Sequence, residues 1–112
     1  MYQVTMQNAI NANANNTSSS HEVQFPLMAN ANMKLTVVST GNGTTATAKL
    51  LMSDDNVNFN YVQDSGSDYV LALSSASTFS GLLPSMMSKY IKVEYNKGDN
   101  TTGLISSTLT FS

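Results

Sequence analysis

The chain has no cysteine, no arginine, a single histidine, two prolines and six glycines in 112 residues. Without cysteine there is no disulfide framework, no thiolate metal site and no thiol nucleophile. Five lysines face seven acids, a net charge of -2, so the basic footprint and guanidinium groups that read phosphates and base edges are missing, and nucleic acid is not an expected partner. His21, beside Glu22, has no second imidazole to work with and reads as a strand-edge or turn residue. No apolar stretch approaches the roughly 20 residues that span a bilayer; Tyr69 to Leu73 is typical of the longest, and no membrane partner is expected. The opening Met1 to Met6 lacks a basic region followed by an apolar segment, so synthesis in a cytoplasm without signal-directed export is expected.

What is present is polar but scarcely charged: sixteen serines, twelve threonines and thirteen asparagines, with charged residues at 11% and hydrophobic residues at 41%. That much apolar material builds a core, and 12.0 kDa leaves room for only one. The surface is then mostly neutral, with little colloidal repulsion between copies, which favours repeated copies in an assembly or a homo-oligomer. A large internal active site does not fit a domain of this size, and any ligand site should be shallow or shared between subunits.

Side chains alternate with a period of two along several stretches, the pattern of strands with one buried face. Ile91, Val93 and Tyr95 share a face opposite Lys92 and Glu94. Ile105, Leu109 and Phe111, with Ser107 among them, oppose Ser106, Thr108 and Thr110. Read with the turn Lys97-Gly98-Asp99-Asn100, these two strands predict a hairpin. Met33, Leu35 and Val37 predict an inward face, as do Ala46, Ala48, Leu50 and Met52, and Thr40-Gly41-Asn42-Gly43 between them predicts a second hairpin, since glycine and asparagine tolerate positive φ. Shorter strands are expected at His21–Phe25, Phe59–Val62 and Tyr69–Leu73, and an apolar crossover over 74–88. Seven or eight strands with short turns favour an all-β, antiparallel β-sandwich, immunoglobulin-like or jelly-roll-like. The expected division is a flexible N-terminal strand or arm with an Asn/Ala/Ser-rich loop over 1–19, and one sandwich domain over 20–112.

No constellation of catalytic residues stands out, and the expectation is a non-enzymatic protein without catalytic residues, cofactor or metal. Asp54, Asp55, Asp64 and Asp68 are the best oxygen ligands for calcium, but the spacing lacks the glutamate-terminated calcium loop, and turn stabilisation is the favoured role. Asp54 and Asp64 as a glycosidase pair would need a separation and cleft that the sequence does not fix. None of the serines stands in a nucleophile elbow, and Gly41-Asn42-Gly43 lacks the lysine of a phosphate loop. Met28, Met33 and Met52 fill core gaps, whereas Leu82, Leu83, Met86 and Met87 form an apolar patch that would be costly unless another chain covers it. With Tyr2, Val4 and Met6 of the first strand, these are the candidate interface residues. A rival reading, a carbohydrate-binding or adhesion module, predicts an exposed platform containing two or more of Tyr61, Tyr69, Tyr90 and Tyr95.

The turn Ser53-Asp54-Asp55-Asn56-Val57-Asn58-Phe59, the strand Lys89-Tyr90-Ile91-Lys92-Val93-Glu94-Tyr95 and the closing Gly103-Leu104-Ile105-Ser106 together resemble small β-sandwich auxiliary or decoration proteins of tailed-bacteriophage capsids, with related modules in tails and fibers. The resemblance covers about residues 20 to 112. It implies a virion structural protein that binds the major capsid protein or other virion proteins in repeated copies, assembled in the bacterial host cytoplasm. Asn56 stands where that layout usually has glycine, and asparagine can take the left-handed conformation such a turn requires.

Overall fold

Twelve strands, five of them only two residues long, make up the regular structure of a computed structural model that describes residues 2–23, 33–82 and 88–111. They run in order β1 (Tyr2–Asn11), β2 (Asn16–Thr17), β3 (His21–Glu22), β4 (Met33–Ser39), β5 (Ala46–Ser53), β6 (Asn60–Tyr61), β7 (Gln63–Asp64), β8 (Ser67–Asp68), β9 (Val70–Leu73), β10 (Ser77–Leu82), β11 (Tyr90–Asn96) and β12 (Leu104–Phe111). The first sheet has the order β1-β12-β4-β10. In the second, β11 and β5 lie side by side, β2 and β3 pair in turn with the outer side of β11, and β6 and β9 do so with β5. All these pairings are antiparallel, and β7 and β8 form a separate two-stranded ribbon.

The alternation predicts which side chains point inward. Burial alternates strictly along β4 and β11, and Leu35, Val37, Leu50, Ile91, Val93, Tyr95, Ile105 and Leu109 are all sealed from solvent between the two sheets. Val4, Met6, Ile10, Met52, Leu71 and Phe79 pack around the rim of that core. Ser107, the polar residue among apolar ones on the inward face of β12, is satisfied by donating to Gln7 Oε1 at 2.9 Å, and Gln7 in turn donates to Asn16 Oδ1 at 3.0 Å.

Both expected hairpins are corrected by the structure. β4 pairs with β10 and β12, whereas β5 pairs with β11, β6 and β9. β11 and β12 likewise lie in different sheets. Segments 40–45 and 97–103 are therefore arches that carry the chain from one layer to the other. An arch preserves the same inward face on both strands, so alternation alone does not distinguish it from a hairpin. Gly41 and Gly43 also serve differently from the expectation. Neither has a positive φ; a Cβ on Gly41 would lie 2.6 Å from Asn100 Oδ1, and one on Gly43 would meet the Asp99 carboxylate.

Residues 77–82, expected within an irregular crossover, form β10, which pairs with β4 from Ser77↔Ser39 to Leu82↔Lys34. An apolar Leu82 at an outward position and a glycine at an inward one break the alternation, which hides the strand signal. The N-terminal segment contributes strands to both sheets. Tyr2–Asn11 pairs with β12 from Tyr2↔Phe111 to Asn11↔Leu104, with register shifts on either side of Gln7, and Asn16–Thr17 joins the second sheet. Deleting 1–19 would therefore remove an edge strand of the fold.

Candidate interaction surfaces

The arches zip together at one end of the sandwich, each using side chains to satisfy the backbone of the other. Asn100 is 1% exposed. Its Oδ1 accepts from Gly43 N at 2.6 Å, its Nδ2 donates to the Tyr95 hydroxyl at 2.7 Å, and that hydroxyl donates to the Ala12 carbonyl at 2.7 Å. Asn42 reciprocates by accepting from Thr101 N at 2.9 Å and Thr102 N at 3.3 Å. Asp99 Oδ1 accepts from Thr44 N, Thr45 N and the Thr45 hydroxyl at 2.8–2.9 Å. The Thr45 backbone bond, then its hydroxyl and the Thr44 amide, hold the Asp99 carboxyl down at about 2.

This lowered pKa has a consequence for acid stability. A carboxylate that folding makes more acidic contributes stability above its unfolded value of 3.8 and loses it as the pH falls through about 2. Thermal melts between pH 5 and pH 2 should show Asp99→Asn with a shallower acid-dependent loss of stability than the parent; parallel pH profiles would contradict the assignment.

A second polar turn joins β5 to β6. Asp55 Oδ1 accepts from Val57 N and Asn58 N, both at 2.9 Å, and from the Ser53 hydroxyl at 2.8 Å, while Oδ2 accepts from Asn58 Nδ2. The Asn58 and Val57 amides hold this carboxyl well below the ordinary range. Asn56 adopts φ 60°, the left-handed conformation expected where glycine usually stands. An open hollow of about 360 Å³ lies beside it, lined by residues that include Met52, Asp54 and Asn60. Asp55 is already engaged by its own turn, and among the described residues no three His, Cys, Asp or Glu side chains are grouped to hold an ion. Asp64 and Asp68 belong to the β7–β8 ribbon, where Asp68 is 3.4 Å from Lys49 Nζ.

The outward face of the second sheet is a mosaic of charges and rings that engage one another. The Tyr61 hydroxyl donates to Glu94 at 2.9 Å, a bond that pushes the phenol pKa up. Lys49 Nζ sits 5.0 Å from the Tyr61 ring centroid, and Lys92 Nζ sits 4.1 Å from that of Phe59. Of the four candidate tyrosines, two or more of which a sugar platform would need, Tyr95 and Tyr69 are buried in the core and Tyr61 and Tyr90 lie on this face. A sugar stacking on Tyr61 or Phe59 would have to compete with an ammonium already packed on the ring.

The outward face of the first sheet is different. Three rows cross it: Gln3, Thr110, Lys34 and Leu82; Thr5, Thr108, Thr36 and Ser80; Ser106, Val38 and Thr78. The rows carry a single charge, Lys34, and otherwise hydroxyl, amide and methyl groups. Such a face costs less to desolvate than a charged one, yet keeps donors and acceptors for a partner.

Of the residues expected at an interface, Val4 and Met6 lie on the β1 edge but turn partly inward against the core, and Leu82 ends the opposite edge, 72% exposed. Tyr2 pairs with Phe111 in β1. Leu83, Met86 and Met87 lie outside the described residues, as does Met28. The hydroxyl-rich rows were missed by sequence reasoning that sought apolar anchors. The signal was there, in the run Ser106-x-Thr108-x-Thr110 and its counterpart Lys34-x-Thr36-x-Val38.

No protein-family model matches the chain, and comparison with curated protein sequences finds no match. Among solved structures, the chain is similar to the SPBc2 prophage-derived protein YomS, with a TM-score of 0.53 and 14% identity over 99% of this chain and 92% of that one. It also aligns with PliG of Aeromonas hydrophila, a periplasmic inhibitor of g-type lysozyme, with a TM-score of 0.43 and 10% identity over 99% and 85% of the two chains. At these identities the likeness to the prophage-derived protein is one of fold.

Proposed function

We propose that this is a non-enzymatic virion structural protein, an auxiliary subunit that docks in many copies on a phage particle through the outward face of its first sheet. The observation that carries the reading is that face: three rows dominated by hydroxyl side chains, with Val38 and Leu82 the exposed apolar members and Lys34 the one charge. A fold shared with a prophage-derived protein supports the setting. The polar clusters support a binding role too, because Asp55, Asp99 and Asn100 spend their hydrogen-bonding capacity on turns and arches. Each contact on such a face is weak, but copies already held on an ordered shell raise the local concentration of their neighbours, so modest affinities produce high occupancy.

Sedimentation of phage particles from a producing culture that expresses a tagged copy tests the reading, with immunogold imaging to locate the label on head or tail. The parent protein should travel with particles. Thr36→Lys combined with Thr108→Glu, two outward substitutions in one row, should cut occupancy at least tenfold with little change in melting temperature. Recovery of the parent protein only from the particle-free fractions would overturn the proposal, and so would full occupancy by the double variant.

A further inference from the structure

Every sheet must end somewhere, and this molecule treats its ends unequally. A strand with one unpaired side presents a row of N–H and C=O groups, which proteins usually blunt with bulges, charges, proline or short length. β1 is interrupted by register shifts on either side of Gln7 and by Ala9 at φ 50°, whose N–H donates to the Ser106 hydroxyl. The flanks of the second sheet are the two-residue β2, β3 and β6 and the four-residue β9. β10 has none of these protections. Its six residues, Ser77-Thr78-Phe79-Ser80-Gly81-Leu82, contain no charge and no proline, pair with β4 without a register shift, and have no partner on the other side among the described residues.

We propose that β10 is a pairing edge for a second copy of this chain, joined antiparallel about a two-fold axis so that the two first sheets form one continuous sheet. A second copy is favoured over a foreign strand because this segment complements itself. Residues directly opposite each other in a sheet must share a face, which restricts self-pairing to alternate registers. One of these sets Ser80 opposite Ser80, Thr78 opposite Leu82 and Phe79 opposite Gly81. No like charges meet, the hydroxyl row through Thr5, Thr108, Thr36 and Ser80 continues into the partner, and exposed Leu82 gains a threonine methyl as neighbour. Phe79 then stands opposite Gly81, a position without a side chain whose inward side the Tyr69 hydroxyl already covers. The arrangement is isologous and closes at two copies. It uses the edge of the sheet and leaves its outward face open, so it stands or falls separately from particle docking.

The absence of cysteine gives a direct test with the full-length protein. Ser80→Cys provides the sole thiol and places it on the two-fold axis, where paired strands hold Cα atoms about 4.5–5.5 Å apart, within the span of a disulfide. Under mild oxidation most of the Ser80→Cys protein should become a covalent dimer. Thr108→Cys, in the same row but two strands from the edge, should remain largely monomeric. In parallel, sedimentation equilibrium should show the parent dimerising with concentration, and Ser80→Lys, which opposes two ammonium groups, weakening that association at least tenfold with its fold intact by circular dichroism. Mixing Ser80→Lys with Ser80→Glu should restore it. A parent that stays monomeric up to millimolar concentration would defeat the proposal, as would equal cross-linking of the two cysteine variants or a dimer that Ser80→Lys leaves untouched.

Discussion

Replacing Asn100 with alanine is expected to lower the stability of the fold by about 3 kcal/mol, because each buried polar group stripped of its partner costs roughly 1–3 kcal/mol and this side chain serves two. Gly43 N–H loses its acceptor, the Tyr95 hydroxyl loses its donor, and both sit where water is excluded. Truncation also leaves a void against Gly41, whose Cα lies close under the Asn100 amide. Asn42→Ala removes bonds of the same kind from an exposed position, where water replaces them, and should cost about 1 kcal/mol or less. Chemical denaturation of both variants checks the contrast. A loss below 1 kcal/mol for Asn100→Ala would mean that the two arches hold together without the side chain, through backbone and packing alone.

The other large effect concerns the first sheet, where neighbouring positions on one strand should answer oppositely. Leu35 lies on β4 between Leu109 of β12 and Gly81 of β10, and is fully buried. Leu35→Ala is expected to cost about 3–4 kcal/mol, the sum of lost transfer energy and an incompletely collapsed cavity. With total stabilities of small domains at roughly 5–15 kcal/mol, that is enough to leave a marginal fold. Val38, three residues on, faces outward and is 46% exposed; Val38→Thr should change stability by less than about 0.5 kcal/mol. Equal losses at both positions in urea titrations would place a second apolar layer over the outward face and contradict its assignment as a docking surface.

The inward faces were legible because a strand's side-chain period is set by local backbone geometry. Leu35, Ile91, Tyr95 and Leu109 can be assigned to the core without knowing what they touch. The Asn56 turn was legible for the same reason: left-handed backbone at a non-glycine residue is a local cost that asparagine tolerates. β10 was not, because Ser, Thr and Gly carry little alternation, and its strand character comes from pairing with β4. Nor was the outward face proposed for docking, whose rows bring together Thr5, Thr36, Ser80 and Thr108 from distant parts of the chain.

By itself the sequence determined the class of chemistry and the side of each strand that faces the core: it has neither thiols nor arginines, and period-two alternation is a short-range steric property. Which strands become neighbours was decided by the tertiary structure. Two segments that look like hairpin turns became arches between layers, since the side chains of Asn42, Asp99 and Asn100 each satisfy backbone amides of the opposite arch only when the two crossings lie side by side. That choice depends on contacts between residues more than fifty positions apart, and local preference carries no record of them.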